Sequence, residues 1–203
     1  MPVPSRLTAL IVAAIAALAL FIGGAAWLQT KDHAPIATGI AQVGGPFSLV
    51  NQDGKRVTEK DFIGHYTLVF FGYTYCPDVC PTELQVMTAA LDQMGDQGKN
   101  IQPVFVTIDP ERDTPETLKT YVENFGPRLT GLTGTPEEVA QAAKAYRVFY
   151  RKADSGDPKN YLMDHSSIIY LMGPDGLFIR PFTYTTDAKA LASDLAKAIG
   201  SSS

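Results

Sequence analysis

The apolar and polar positions of the chain form segments of two kinds, continuous apolar runs and stripes at helical spacing. Continuous runs over 67–71 and 101–108 predict buried strands. A stripe over 81–94 predicts a helix, and a threonine–glutamate capping box over 135–138 predicts the start of another. Further predicted elements are a hairpin over 47–57, strands at 148–151, 167–172 and 177–181, and helices at 116–125 and 186–199. Strands alternating with helices predict an α/β domain with a mixed sheet flanked by helices.

The first 28 residues follow a different pattern. Residues 7–28 are mostly aliphatic and contain no charged side chain. A helix of that length rises about 33 Å, which is enough to cross a bilayer core of about 30 Å. A cleaved signal peptide is the alternative, although its apolar region is usually only about 7–15 residues long. We therefore expect a short tail over 1–6, a transmembrane anchor over 7–28, a tether over 29–45 and a globular domain over 46–200.

Charges beside this span indicate its orientation. Arg6 precedes the span and Lys31 follows it, so the positive-inside rule slightly favours a cytoplasmic N-terminus. The six residues before the span leave no room for an arginine-rich transit peptide. We therefore expect a single-pass protein of a bacterial inner membrane with its soluble domain in the periplasm.

The charge balance beyond the span limits the classes of partner. The chain has 17 Lys and Arg against 21 Asp and Glu; subtracting Arg6 leaves 16 against 21, a net charge of −5. No basic run or basic-aromatic stripe is present, so the cationic footprint of a nucleic-acid-binding protein is missing. The remaining length of roughly 160 residues suffices for one hydrophobic core without disulfide staples.

The only two cysteines, Cys76 and Cys80, lie where a buried strand is predicted to end and a helix to begin. Helix N-terminal amides favour thiolates at such a junction, which is where thioredoxin-like folds hold their active thiols. A structural disulfide is the weaker interpretation, because bridging three intervening residues restricts the unfolded chain little. With His165 at the start of a later strand, the cysteines form a set of two thiolates and one imidazole. Three such ligands suit copper better than structural zinc, which normally takes four.

Other candidate ligands fit less well. His33 lies in the predicted tether, and His65 precedes the buried strand. Asp78, between the cysteines, is a candidate weak ligand, but a solvated loop carboxylate or a charge at the helix N-terminus explains it at least as well. These three residues are therefore left outside the predicted metal site.

A redox function is the main alternative. Thioredoxin places two residues between its cysteines and a cis-proline against them, whereas this chain has three residues between the cysteines. It also has no proline between Lys159 and Gly173, and His165 takes the corresponding place. This favours metal ligation over the docking of a substrate disulfide. A thiol-disulfide oxidoreductase that uses Cys76 and Cys80 as its redox pair stays open.

Three blocks of sequence carry a resemblance to a known family. They are FGYTYCPDVCPT (71–82), VTIDPERDTP (106–115) and DHSS (164–167). In this order they resemble the Sco/SenC family of membrane-anchored copper proteins that help to assemble cytochrome c oxidase, over residues 45–199. The resemblance implies a thioredoxin-like, peroxiredoxin-related fold. It also implies one copper per chain, as Cu(I) and in some states Cu(II), bound by Cys76, Cys80 and His165.

The resemblance also marks two acidic residues and a function. Asp109 and Asp113 match acidic positions of the second block, where they either shape the site or a partner surface, or cap the following loop and helix. The expected function is a metallochaperone, without catalytic residues, that delivers copper to the CuA centre of the oxidase. Its expected partners are the copper-binding subunit of the oxidase and an upstream copper donor or thiol reductant. The alternative is a membrane-tethered reductase of that subunit's cysteines.

Overall fold

The computed structural model describes residues 42–153, 160–183 and 186–200. The predicted N-terminal tail, the membrane anchor and the tether up to residue 41 lie outside these ranges. Within them, no helix combines the length and the apolar character needed to cross a membrane.

Nine strands lie in the described ranges, seven in one mixed sheet and two in a separate ribbon. Their bounds are β1 (Ser48–Asn51), β2 (Arg56–Thr58), β3 (Tyr66–Gly72), β4 (Ile101–Thr107), β5 (Thr130–Thr133), β6 (Tyr150–Lys152), β7 (Met163–His165), β8 (Ile168–Met172) and β9 (Phe178–Thr183). The order across the sheet is β2-β1-β5-β4-β3-β8-β9, and β6 pairs with β7. Strands β3, β4 and β5 run parallel in the centre, with antiparallel strands on both sides. The predicted mixed α/β sheet is confirmed.

The helices begin where local sequence signals favour them. Those within the described ranges are α1 (Val79–Gln93), α2 (Asp96–Lys99), α3 (Pro115–Glu123), α4 (Pro136–Ala145) and α5 (Ala188–Gly200), beside a 3-10 segment at Glu59–Phe62. The predicted capping box begins α4: the Thr135 side chain accepts a hydrogen bond from the Glu138 N–H (3.3 Å), and the Glu138 carboxylate accepts one from the Thr135 N–H (2.9 Å).

Helix α1 follows from the predicted apolar stripe. Leu84, Met87 and Leu91 are at most 1 % exposed, as expected for a helix face on the core. The helix begins at Val79, two residues earlier than predicted, so Cys80 lies inside its first turn. Glu83 therefore belongs to the second turn and is only 2 % exposed, so it does not complement the positive end of the helix dipole.

Strands β3 and β4 end side by side. Their register pairs Tyr66 with Ile101 and Gly72 with Thr107. Because parallel strands in register bring their carboxyl ends to the same edge of a sheet, the cysteine loop and the acidic loop leave the sheet together. The fold thus brings two of the three distinctive sequence blocks to one edge.

Candidate metal centre

Three different elements bring the predicted metal ligands together. Cys76 lies in the loop after β3, Cys80 is the second residue of α1, and His165 is the last residue of β7. The two sulfur atoms and one imidazole nitrogen lie within 4.8 Å of one another, and Cys80 Sγ is 3.5 Å from His165 Nε2. Metal–ligand bonds of about 2.0–2.3 Å let one ion join atoms separated by about 4–4.6 Å. The geometry is therefore close to that of a three-ligand metal site.

A glycine makes room for the buried thiol. Cys80 is fully buried, and a Cβ added at Gly72 would lie 2.8 Å from its Sγ and 2.9 Å from the Phe105 ring. Real side chains do not approach so closely, so only glycine lets α1 carry Cys80 directly onto the end of β3. Gly72 was not predicted as a site residue, although it lies at the end of the apolar run, next to the cysteine loop.

Aromatic rings and one carbonyl fix the orientation of His165. The imidazole packs edge-on against Phe70 and Tyr73, with ring centroids 6.1 and 6.0 Å away. With its proton on Nδ1, His165 donates a hydrogen bond to the Ser166 carbonyl at 3.2 Å. This tautomer leaves the Nε2 lone pair free on the side of Cys80, as a metal ligand requires.

The two thiols have opposite acidities. The pKa of Cys76 is lowered to about 3, mainly by the hydrogen bond from the Cys80 thiol, with further contributions from backbone N–H groups. The pKa of Cys80 is raised well above its usual range, first by sharing its proton with Cys76 and then by burial. Neither cysteine is in a disulfide. The metal-free site therefore holds one thiolate and one thiol, and binding through both sulfurs must release one proton.

This asymmetry predicts which thiol reacts. Iodoacetamide should modify Cys76 at a rate that stays nearly constant from pH 5 to pH 8, because its thiolate is fully formed throughout. An ordinary thiol, with a pKa of about 8.5, would react roughly several hundred-fold faster at pH 8 than at pH 5. Mass spectrometry of the labelled chain should show modification at Cys76 and none at buried Cys80. A rate that rises steeply with pH, or labelling that persists in Cys76→Ser, would contradict the assignment.

Asp113 connects the acidic loop to the cysteine loop. It is fully buried and accepts hydrogen bonds from the Thr74 N–H (3.0 Å), the Thr74 hydroxyl and the Thr107 hydroxyl (2.6 Å). The following helix is capped instead by Thr114, whose side chain accepts a hydrogen bond from the Thr117 N–H. The interpretation of Asp113 as a helix cap is therefore wrong. Asp113 shapes the site by holding the segment two residues before Cys76.

Asp109 holds Arg112 and Tyr161, which connect the segment before β7 with the cysteine loop. Its carboxylate, 2 % exposed, accepts hydrogen bonds from Arg112 Nε and from the Tyr161 hydroxyl (2.8 Å). The Arg112 guanidinium lies 3.7 Å from the Tyr161 ring centroid and 4.6 Å from that of Tyr75. Arg112 thereby connects the segment before β7 with the residue next to Cys76. Tyr75 and Arg112 lie inside the distinctive sequence blocks, but the pattern did not indicate that Arg112 contacts Tyr75 and Tyr161, because these contacts depend on the tertiary fold.

The remaining candidate ligands do not belong to the metal-ligating group. His65 is exposed at the amino end of β3, opposite the cysteine end, and His33 lies outside the described residues. Asp78 is exposed and does not belong to the converging group of metal-ligating side chains. Among the described residues, only Cys76, Cys80 and His165 form such a group.

The family assignment agrees with this geometry. The family model described as SCO1/SenC matches residues 37–200. The chain belongs to the SCO1/SenC family. It is 45 % identical over 164 residues to the mitochondrial SCO1 homolog 1 of Arabidopsis thaliana, covering 80 % of this chain and 49 % of that protein. It is also 45 % identical over 156 residues to the human mitochondrial SCO1 homolog, covering 76 % and 52 %. The chain thus spans about half the length of these relatives.

Solved structures of relatives share the fold. The crystal structure of Arabidopsis thaliana ScoI with copper bound matches with a TM-score of 0.75 and 44 % identity, covering 78 % of this chain and 99 % of that one. BsSco, described with a disulfide switch and as a member of the Sco family of cytochrome c oxidase assembly proteins, matches with a TM-score of 0.61 and 26 % identity, covering 78 % and 94 %. The prediction of a Sco/SenC protein is confirmed at the level of family and fold, and the three predicted copper ligands converge in a candidate metal site.

Proposed function

We propose that the protein is a membrane-anchored copper metallochaperone that delivers copper to the CuA centre of cytochrome c oxidase. The observation that carries this proposal is the convergence of Cys76, Cys80 and His165 at one edge of the sheet. Two thiolates and an imidazole favour copper over harder metals, and Cu(I) accepts low coordination numbers. Three ligands leave room for an incoming ligand of an acceptor protein.

The exposure of the site supports transfer. Cys80 is buried whereas Cys76 and His165 are half-buried, so an acceptor reaches the ion from one side only. Ligand exchange at that side hands the copper over without a catalytic step. Two relatives support this proposal. The Arabidopsis thaliana protein has copper bound, which supports copper as the metal that is transferred. BsSco belongs to a family of cytochrome c oxidase assembly proteins, which supports the oxidase as the acceptor.

The N-terminal sequence supports the proposed location. The uncharged segment 7–28 has the length of a membrane span, and 29–45 provides a tether to the domain. We place the domain in the periplasm of a bacterial inner membrane on the charge pattern around that span. There the domain would meet the copper-binding subunit of the oxidase.

One observation favours a second candidate function. The low pKa of the Cys76 thiol means that its thiolate is present at neutral pH and is a good leaving group. Both properties suit thiol-disulfide exchange. Cys76 would attack a disulfide of the oxidase subunit, and Cys80 would resolve the mixed disulfide. The subunit's two cysteines would be released as thiols while Cys76 and Cys80 form a disulfide.

An assay with the reduced and the disulfide form of the same acceptor distinguishes copper delivery from thiol reduction. The soluble copper-binding domain of the oxidase subunit is prepared metal-free, once with reduced cysteines and once with its disulfide. We expect the Cu(I)-loaded protein to transfer copper to the reduced acceptor, detected by the visible absorption of CuA assembled after addition of the second copper and oxidation. Transfer of no copper, together with rapid reduction of the disulfide form by the metal-free protein, would replace the first proposal by the second.

A further inference from the structure

Five large hydrophobic side chains are exposed within the described residues, and three of them lie at the metal end of the domain. The five are Ile63, Tyr75, Phe149, Leu162 and Leu177, between 49 % and 64 % exposed. Tyr75 is the residue before Cys76, and Leu162 lies three residues before His165. The backbone of Phe149 pairs with Ser166, the neighbour of His165, through a hydrogen bond from the Ser166 N–H to the Phe149 carbonyl (3.0 Å). We call Tyr75, Phe149 and Leu162 the apolar collar.

The other two exposed hydrophobic side chains lie elsewhere. Ile63 precedes β3, and Leu177 precedes β9 in the turn after β8. Strand β3 spans seven residues, so its two ends are about 20 Å apart. Since Cys76 follows the carboxyl end of β3, Ile63 and Leu177 are exposed at the end of the sheet away from the metal centre. They serve as matched controls for the collar.

Tyr75 is held in a fixed orientation although it is exposed. The Arg112 guanidinium carbon lies 4.6 Å from its ring centroid, and Arg112 is itself held by Asp109 and by the Tyr161 carbonyl (3.0 Å). A side chain ordered before binding loses little conformational entropy in a complex. Tyrosine and arginine are also enriched among the residues that dominate the energy of interfaces.

Paired charges lie beside the collar. Arg151 forms an ion pair with Asp164 (2.9 Å), and Lys152 forms one with Glu111 (2.6 Å). All four side chains are largely exposed, and their charges cancel in pairs. An apolar centre with a polar rim is the usual anatomy of a protein–protein interface. Cancelled charges also indicate that contact area, rather than long-range attraction, drives docking here.

We propose that the apolar collar is the docking face for the protein that accepts the copper. This inference rests on the proposed delivery function and adds the surface and the partner's chemistry. The occupant is a folded protein that presents its own soft metal ligands within an apolar surface patch. Continuity with the metal centre argues for this occupant, because the collar flanks the two half-buried ligands, Cys76 and His165, through which an acceptor must reach the ion. Apolar contact around the ion would exclude water while the ligands exchange.

The test uses the full chain in detergent micelles, loaded with Cu(I), and the reduced metal-free copper-binding domain of the oxidase subunit as the probe. Collar variants are Tyr75→Ser, Phe149→Ser and Leu162→Ser, and control variants are Ile63→Ser and Leu177→Ser. We expect each collar variant to slow second-order transfer about tenfold, a larger loss than truncation of most interface residues produces. Copper(I) affinity should stay unchanged in all five variants, and both controls should transfer like the unmodified chain. Transfer by that chain should vary less than about twofold between 50 and 300 mM salt.

Distinct outcomes would overturn distinct claims. Equal transfer rates in collar and control variants, with copper affinity intact, would remove the collar and leave the delivery function standing. Absence of transfer by the unmodified chain would remove the delivery function, and with it a docking face for a copper acceptor. Self-association of the unmodified chain that the collar variants abolish would identify the collar as an interface between two copies instead.

Discussion

Replacing His165 by alanine is expected to weaken Cu(I) binding by more than about 100-fold, beyond the loss that removing an outer partner of a metal ligand produces. The substitution deletes the nitrogen that lies 3.5 Å from Cys80 Sγ and leaves a site of two thiolates. Two thiolates still hold Cu(I), which accepts low coordination, but imidazole is the ligand among the three that best suits Cu(II). Binding of Cu(II) should therefore be lost more completely than binding of Cu(I).

Anaerobic titration of the reduced protein against a competing Cu(I) chelator measures this affinity. His65→Ala is the matched control, because it removes an exposed histidine at the opposite end of β3 and should leave the affinity unchanged. One copper per chain is expected in the unmodified protein and in the control. Equal Cu(I) affinity in His165→Ala and His65→Ala would show that the imidazole is not a ligand and would favour the reductase function.

Sequence patterns predicted those strands and helices that a single segment of the chain specifies by itself. The buried strand β3 and helix α1 follow from an apolar run and a helical stripe, each of which one segment carries alone. Strand β7 was not predicted as a separate element, because Met-Asp-His is too short and too polar to form an apolar run. It is a strand because Tyr150 pairs with His165 across the ribbon, a contact between distant parts of the chain.

The same distinction holds at the metal centre. Only three residues lie between Cys76 and Cys80, so the strand–loop–helix junction sufficed to bring the thiols together. His165 is 85 positions further along, and only its expected place in a thioredoxin-like fold connected it to them. The hydrogen bonds of Asp113 with Thr74 span 39 positions, and no periodicity in the sequence specifies such a contact.

Buried Glu83 lowers the stability of the native state, and no sequence pattern indicated this. It lies one turn after Cys80, and one of its carboxylate oxygens, fully buried, has no hydrogen-bond partner. Burial raises the pKa of Glu83 to about 7. This carboxyl becomes an unpaired buried charge when it ionises, so the native state loses stability as the pH rises from about 4.5 to about 7. Amphipathic helix patterns do not identify such a residue, because they predict charged side chains on the solvent face.

Removal of the Asp113 carboxylate is expected to destabilise the native state by about 2–4 kcal/mol in Asp113→Ala, because an orphaned buried donor costs about 1–3 kcal/mol and a half-buried donor costs less. The donors left without an acceptor are the Thr74 N–H, the Thr74 hydroxyl and the Thr107 hydroxyl. Asp113→Asn keeps one acceptor oxygen and the side-chain volume, so its loss should be smaller. Urea unfolding measures the free energy, and Asp96→Asn, at an almost fully exposed carboxylate, should change it by less than about 0.5 kcal/mol.

The pH dependence distinguishes the role of the charge of Asp113 from that of its geometry. Burial raises the pKa of Asp113 above its ordinary value, so ionisation is harder in the folded than in the unfolded chain. The native state of the unmodified protein therefore loses stability as the pH rises above about 4, and Asp113→Asn lacks this loss. The stability deficit of Asp113→Asn should shrink as the pH rises above about 4, while its Cu(I) affinity stays about 10- to 100-fold weaker because the segment before Cys76 is less firmly held. A deficit that grows with pH would mean that the carboxylate charge itself stabilises the fold, and unchanged copper affinity would mean that Asp113 does not position the cysteine loop.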